Sequence, residues 1–239
     1  MSDDCQFDIS WAGDAAFPPF DRWVTDIFDR PDPWTDGGTR RPAGTWRDDV
    51  EWMYDRDTYS GDDVLSHIAR LFATPRLLDQ YSEGQIAEGL EWLCDTTWFE
   101  GLAWLCDGEA SDDHRRSVIQ GVGNLYCEVL ARICKDAHPD DGAPLELDRP
   151  ADDVTFMFWD LVRTPPDSAL TDAMEAMFRR VLRIENGMCR AGALHGLGHW
   201  HKHQSNRVER IIDEYLSSGR PMSGIHRASA EAARRGEVL

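Results

Sequence analysis

Val118, Val122, Leu125, Val129 and Ile133 recur every three or four residues, a period that lays one apolar stripe along an α-helix. A strand would need alternation at every second residue, and no segment of the chain offers that pattern with comparable strength. Asp112 and Asp113 stand at the head of the stripe, where carboxylates accept from free amides and favour the positive helix end. The same arrangement repeats along the chain. Asp62 and Asp63 precede Val64, Ile68, Leu71 and Phe72, and Pro75 stops the run. Ser82 caps a segment with Ile86, Leu90 and Leu93 on one face, continued by Trp98, Leu102 and Leu105 as far as Gly108. Asp152 and Asp153 open a short helix through Phe156, Trp159 and Leu161, closed by Pro165 and Pro166. Further helices are predicted over 168–185, 186–204, 206–218 and 225–235.

These stripes predict an all-α protein. Residues 61–239 read as a single all-helical domain, an antiparallel helical stack of α-solenoid, HEAT-like kind. Residues 1–60 differ. Phe17-Pro18-Pro19-Phe20, Pro31-Asp32-Pro33-Trp34 and Asp36-Gly37-Gly38 punctuate an irregular, Trp- and Pro-rich N-terminal arm with one helix over 20–29. Its aromatic content predicts an arm packed on the helical body.

Charge limits the partners. The chain carries 25 basic against 44 acidic residues, a net of −19. Residues 190–239 hold eight basic and five acidic residues, so the preceding 189 carry −22. Nucleic acid is not expected as a partner, because phosphate backbones are neutralised by clustered Lys and Arg. A basic protein surface is, since opposite fields steer encounter. Acidic residues beyond the helix starts, Asp48, Asp49 and Glu51 among them, are the candidate contacts.

No apolar run approaches a membrane span, and the N-terminus lacks the charged flank and apolar stretch of a signal peptide. A cytoplasmic protein is expected. The six cysteines form no CxxC and read as buried thiols, so neither a disulfide framework nor a cysteine zinc site is expected.

The run Leu194-His195-Gly196-Leu197-Gly198-His199-Trp200-His201-Lys202-His203 holds the densest chemistry. On a helix His195, His199 and His203 follow one drifting stripe, and histidines four apart can reach one metal ion. Gly196 occupies the position where a HExxH hydrolase carries its general base, and no acidic residue at fixed local spacing completes the ligand set. The competing reading is packing: Gly192, Gly196 and Gly198 lack a Cβ and let a neighbouring helix approach, with His195 a satisfied groove residue. Packing is favoured. Cys189 lies six residues before His195 on another face, no G-x-S-x-G elbow exists, and Gly121-Val122-Gly123 follows no strand, so no nucleophile or phosphate loop is expected.

The pieces Gln85-Ile86-Ala87-Glu88-Gly89-Leu90, Ala193-Leu194-His195-Gly196-Leu197-Gly198-His199-Trp200 and Arg207-Val208-Glu209-Arg210-Ile211-Ile212-Asp213-Glu214-Tyr215-Leu216 resemble a family of uncharacterised bacterial helical proteins. The C-terminal pieces also resemble HEAT-type helices. The resemblance implies a solenoid-like scaffold and carries no catalytic residues. The expected function is therefore a non-catalytic protein-binding scaffold without cofactor, such as an immunity-type inhibitor of a basic bacterial toxin, with His195, His199 and Trp200 as further candidate contacts. The alternative is a metal-binding protein or metal-dependent hydrolase that uses His195 and His199, with His203 as a further ligand.

Overall fold

The computed structural model describes residues 17–30, 59–94, 101–107, 109–135, 147–162, 165, 168–220 and 222–238. Among them there is no strand, and all regular structure is helical. The first helices are α1 (Phe20–Phe28), α2 (Gly61–Ala73), α3 (Glu83–Cys94), the single turn α4 (Trp104–Asp107) and α5 (Asp112–Leu125). A π-helical segment at Tyr126–Leu130 joins α5 to α6 (Ala131–Ile133). After these come α7 (Pro150–Leu161), α8 (Thr171–Val181), α9 (Gly187–Ser217) and α10 (Gly224–Arg234). No described helix is long and apolar enough to cross a membrane.

The helix starts refine the role of the acidic doublets. Serines do the capping: Ser60 accepts from the Asp63 amide and Ser111 from that of His114. Asp62–Asp63 and Asp112–Asp113 then occupy the first turns, where their charge meets the helix dipole. At α7, Pro150 takes the first turn and no side chain caps the end, so Asp152 and Asp153 again act from inside the helix. Ser82 and Gln85 form a reciprocal capping box, amide to side chain in both directions. Asn186 caps α9 through the Cys189 amide. The two helices expected over 186–204 and 206–218 are one element that kinks at Gln204, whose backbone leaves helical values.

Two chains of neighbours run through the packing. Helix α2 packs on α5 and α5 on α8; α3 packs on α7, α7 on α9 and α9 on α10. The expected stripes face these contacts: Val118, Val122 and Leu125 from α5, and Ile68, Leu71 and Phe72 from α2, are fully or almost fully buried. Of the arm, residues 17–30 and 59–60 are described. Helix α1 buries Trp23, Ile27 and Phe28, and His67 of α2 sits among the rings of Phe17, Phe20 and Trp23 while meeting the Pro18 carbonyl at 3.0 Å.

Ion pairs tie α8 to the distal half of α9. Glu175 meets Arg179 at 3.0 Å, and Arg207 and Arg210 at 2.8 Å each. Burial raises the Glu175 carboxyl, but hydrogen bonds from Arg179 and Arg207 and the charge of Arg210 outweigh it and leave it below the ordinary glutamate range. A group depressed on folding contributes stability that is complete above its unfolded value, about 4.3 for glutamate, and lost as pH falls through the folded value. Urea unfolding between neutrality and pH 3 is therefore expected to show an acid-labile contribution that Glu175→Gln removes. Identical pH profiles for variant and parent would refute this.

Candidate functional site: a histidine–aspartate cluster between two helices

Helices α7 and α9 approach so closely that glycine is required on one of them. A Cβ built on Gly192 would lie 2.4 Å from the Thr155 carbonyl oxygen, and one on Gly196 would lie 2.3 Å from the Trp159 ring. Real Cβ contacts stay well outside these values. The glycines thus serve packing, as their pattern implied. The same closeness brings side chains into reach: Asp160 follows Trp159 on α7, and His195 precedes Gly196 on α9.

Asp160, an aspartate with a short side chain, then spans both histidines. Its Oδ2 is 2.7 Å from His195 Nε2 and its Oδ1 is 2.7 Å from His199 Nε2. The two Nε2 atoms lie 3.2 Å apart. Each histidine can donate to Asp160 only if Nε2 carries the proton, and two N–H groups would then face each other across that gap. A divalent cation would resolve the conflict, because both nitrogens could present lone pairs to it and the carboxylate would supply charge. An ion about 2.0–2.1 Å from each donor holds tetrahedral ligand atoms roughly 3.4 Å apart. The three donors lie within 4.8 Å of one another, a separation compatible with that spacing.

Exposure divides the cluster. The His195 side chain is only 7% exposed, whereas Asp160 and His199 are 29% and 26% exposed. The site has a buried wall and a solvent-facing side. The His195 ring packs against Phe156, centroids 4.6 Å apart, and its Nδ1 is buried without a hydrogen-bond partner among the described residues. Aromatic packing, rather than a hydrogen bond to the second nitrogen, fixes its orientation. Burial holds the His199 imidazole below the ordinary histidine range, and the nearby Asp160 carboxylate recovers only part of the shift. That favours the neutral ring a metal ion requires.

The sequence expectations divide accordingly. His195 and His199 come together as their i, i+4 spacing implied, but the third group is Asp160, 35 residues upstream of His195 on another helix. His203 is exposed, lies next to the kink at Gln204 and is not part of the cluster. Trp200 is 1% exposed and packs on Phe178, so it belongs to the core rather than to a surface contact. Asp48, Asp49 and Glu51 lie outside the described residues. Cys189 is buried beside Cys134, whose thiol together with burial pushes the Cys189 thiol far up, away from nucleophilic use.

The described residues thus form a helical body that brings two histidines and one carboxylate together. Comparison with known protein families, with curated proteins and with solved structures finds no match.

Proposed function

We propose that this chain is a metal-binding protein that holds a divalent transition-metal ion between α7 and α9 through Asp160, His195 and His199. The convergence of three donor atoms from two helices carries the reading. Imidazole pairs with one carboxylate suit zinc or ferrous iron; calcium and magnesium prefer all-oxygen sites. Three protein ligands leave coordination positions vacant, and the exposed edge formed by Asp160 and His199 directs them to solvent. Sites that exchange ligands keep such openings, whereas structural zinc sites close all four positions. The function that follows is Lewis-acid activation of a bound water or substrate, with metal-dependent hydrolysis as the reaction class. The two chains of stacked helices support a HEAT-like scaffold as the frame that presents the site.

Cobalt is the convenient probe. Titration of the untagged, metal-free protein with Co2+ is expected to saturate at one equivalent, with visible absorption typical of nitrogen and oxygen ligation. Azide added afterwards is expected to shift the spectrum by entering a vacant position. Binding well below one equivalent refutes the metal site. A saturated spectrum indifferent to azide refutes the open coordination.

A further inference from the structure

Beyond the metal cluster, a second site stands between the end of α8 and the last two turns of α9. A cleft of about 210 Å³ opens there, floored by Leu182 and Ile211 and walled by arginines. Arg179 and Glu214 neutralise each other, Nη2 donating to Oε1 at 3.0 Å beside a second, shorter contact. Arg183 and Arg220 form no salt bridge among the described residues, although the Arg183 charge also acts on Glu214. The bond that Arg220 makes is from Nη1 to the Arg183 carbonyl, at 2.7 Å. Each guanidinium offers about five N–H donors, so most of this capacity is unspent. In a chain of net charge −19, a pocket with three cations and one anion is a local reversal.

Tyr215 gives the reversal a direction. The residue is 93% buried, lines the cleft, and its hydroxyl has no hydrogen-bond partner among the described residues. The ring is buried while the hydroxyl keeps solvent access, so it is free to donate to a ligand in the cleft. The charges of Arg190 and Arg220 act on the phenol and partly offset the upward shift that burial causes, so both lie within electrostatic reach.

We infer that this cleft binds a phosphate monoester, its oxygens taken by Arg183 and Arg220 and by the Tyr215 hydroxyl, with the organic group on Leu182 and Ile211. Phosphate fits better than carboxylate for two reasons. Donors arriving from three side chains match three non-bridging oxygens, where a carboxylate has two. A dianion also balances two unpaired guanidinium groups. None of the metal ligands takes part, so the site stands or falls independently of the cluster.

The test is calorimetric titration of the full-length, metal-free protein with phenyl phosphate, inorganic phosphate and phenylacetate. Saturable binding of phenyl phosphate is expected, with inorganic phosphate weaker because it leaves the apolar floor uncovered. Arg183→Ala and Arg220→Ala are each expected to weaken binding about tenfold or more, and Tyr215→Phe by a smaller factor, as charge-assisted and neutral hydrogen bonds differ. Both arginines are exposed and Tyr215→Phe preserves the ring, so the variants keep the fold, which circular dichroism verifies. Arg116→Ala, which removes a half-buried arginine of α5, serves as the control for general charge. Inorganic phosphate binding as tightly as phenyl phosphate would refute the role of the apolar floor and the monoester assignment. Failure of phenyl phosphate to saturate, phenylacetate of equal affinity, or an equal loss in Arg116→Ala would overturn the site.

Discussion

Zinc at a hundredfold excess over its dissociation constant is expected to raise the melting temperature of the native chain by roughly 5–10 °C, and Asp160→Ala to abolish the rise. The magnitude follows from linkage: binding to the folded state alone contributes about 2.7 kcal/mol at that excess, and each kcal/mol moves the midpoint by about 2–4 °C at this chain length. Asp160 supplies the negative charge and bridges both histidines at 2.7 Å. Its loss leaves two imidazoles on one helix with no third protein donor from the cluster. Removing an outer-shell partner of a metal site costs roughly 10–100-fold in affinity, and loss of a direct ligand should exceed that. His199→Ala should behave like Asp160→Ala. His203→Ala should retain the full rise, because His203 is exposed and outside the cluster. Calorimetric melts with and without zinc measure all four proteins. A full rise in Asp160→Ala, or its loss in His203→Ala, would sink the assignment.

Gly192→Ala is expected to destabilise the protein by about 2 kcal/mol, against the ordinary expectation for a glycine inside a helix. Alanine gains roughly 1 kcal/mol of helix propensity over glycine. Overpacking typically costs about 1–3 kcal/mol and more where the neighbour cannot yield. Here the neighbour is the Thr155 carbonyl oxygen at 2.4 Å, part of the α7 backbone, which also accepts from the Tyr126 hydroxyl at 2.8 Å. Relief requires α7 to move as a body and drags Asp160 away from the histidines, so the variant should also lose metal affinity. Gly224→Ala provides the contrast. A Cβ there meets nothing within 4 Å, and the change should be neutral or slightly stabilising. Urea denaturation of the two variants checks the sign. If Gly192→Ala proves as stable as the parent, α7 and α9 are not locked in the way described.

The helices were legible in sequence because each carries its own evidence: a stripe such as Val118, Val122 and Leu125, an acidic doublet or Ser82 near its start, a stopping proline. Both the period and the caps are local. The pairing of His195 with His199 was legible for the same reason, since four residues on one helix fix the geometry. Asp160 was hidden. Its partnership with those histidines depends on which helix lies against α9, and no local pattern encodes that choice. Gly192 and Gly196 announce a close neighbour without saying which one. Their pattern pointed to packing and seemed to compete with metal binding, yet close packing is what lets so short a side chain as aspartate reach both rings. Arg183, Arg220 and Tyr215 were hidden likewise, because a cleft between the ends of two helices has no signature in either.

The π-turn at Tyr126–Leu130 sets the phase of the short helical end that follows it, as far as Cys134. It spends one residue more than an α-helical turn, and so rotates the remaining segment by about 100° relative to an uninterrupted helix. Tyr126, at the start of the turn, is fully buried with its hydroxyl on α7, and beyond the turn Cys134 reaches the Ala151 carbonyl and Thr155 from the same side. Excising a single residue from this segment would restore regular hydrogen bonding and swing Cys134 off α7. A locally more ideal helix would thus dismantle the wall against which α7 and α9 are aligned.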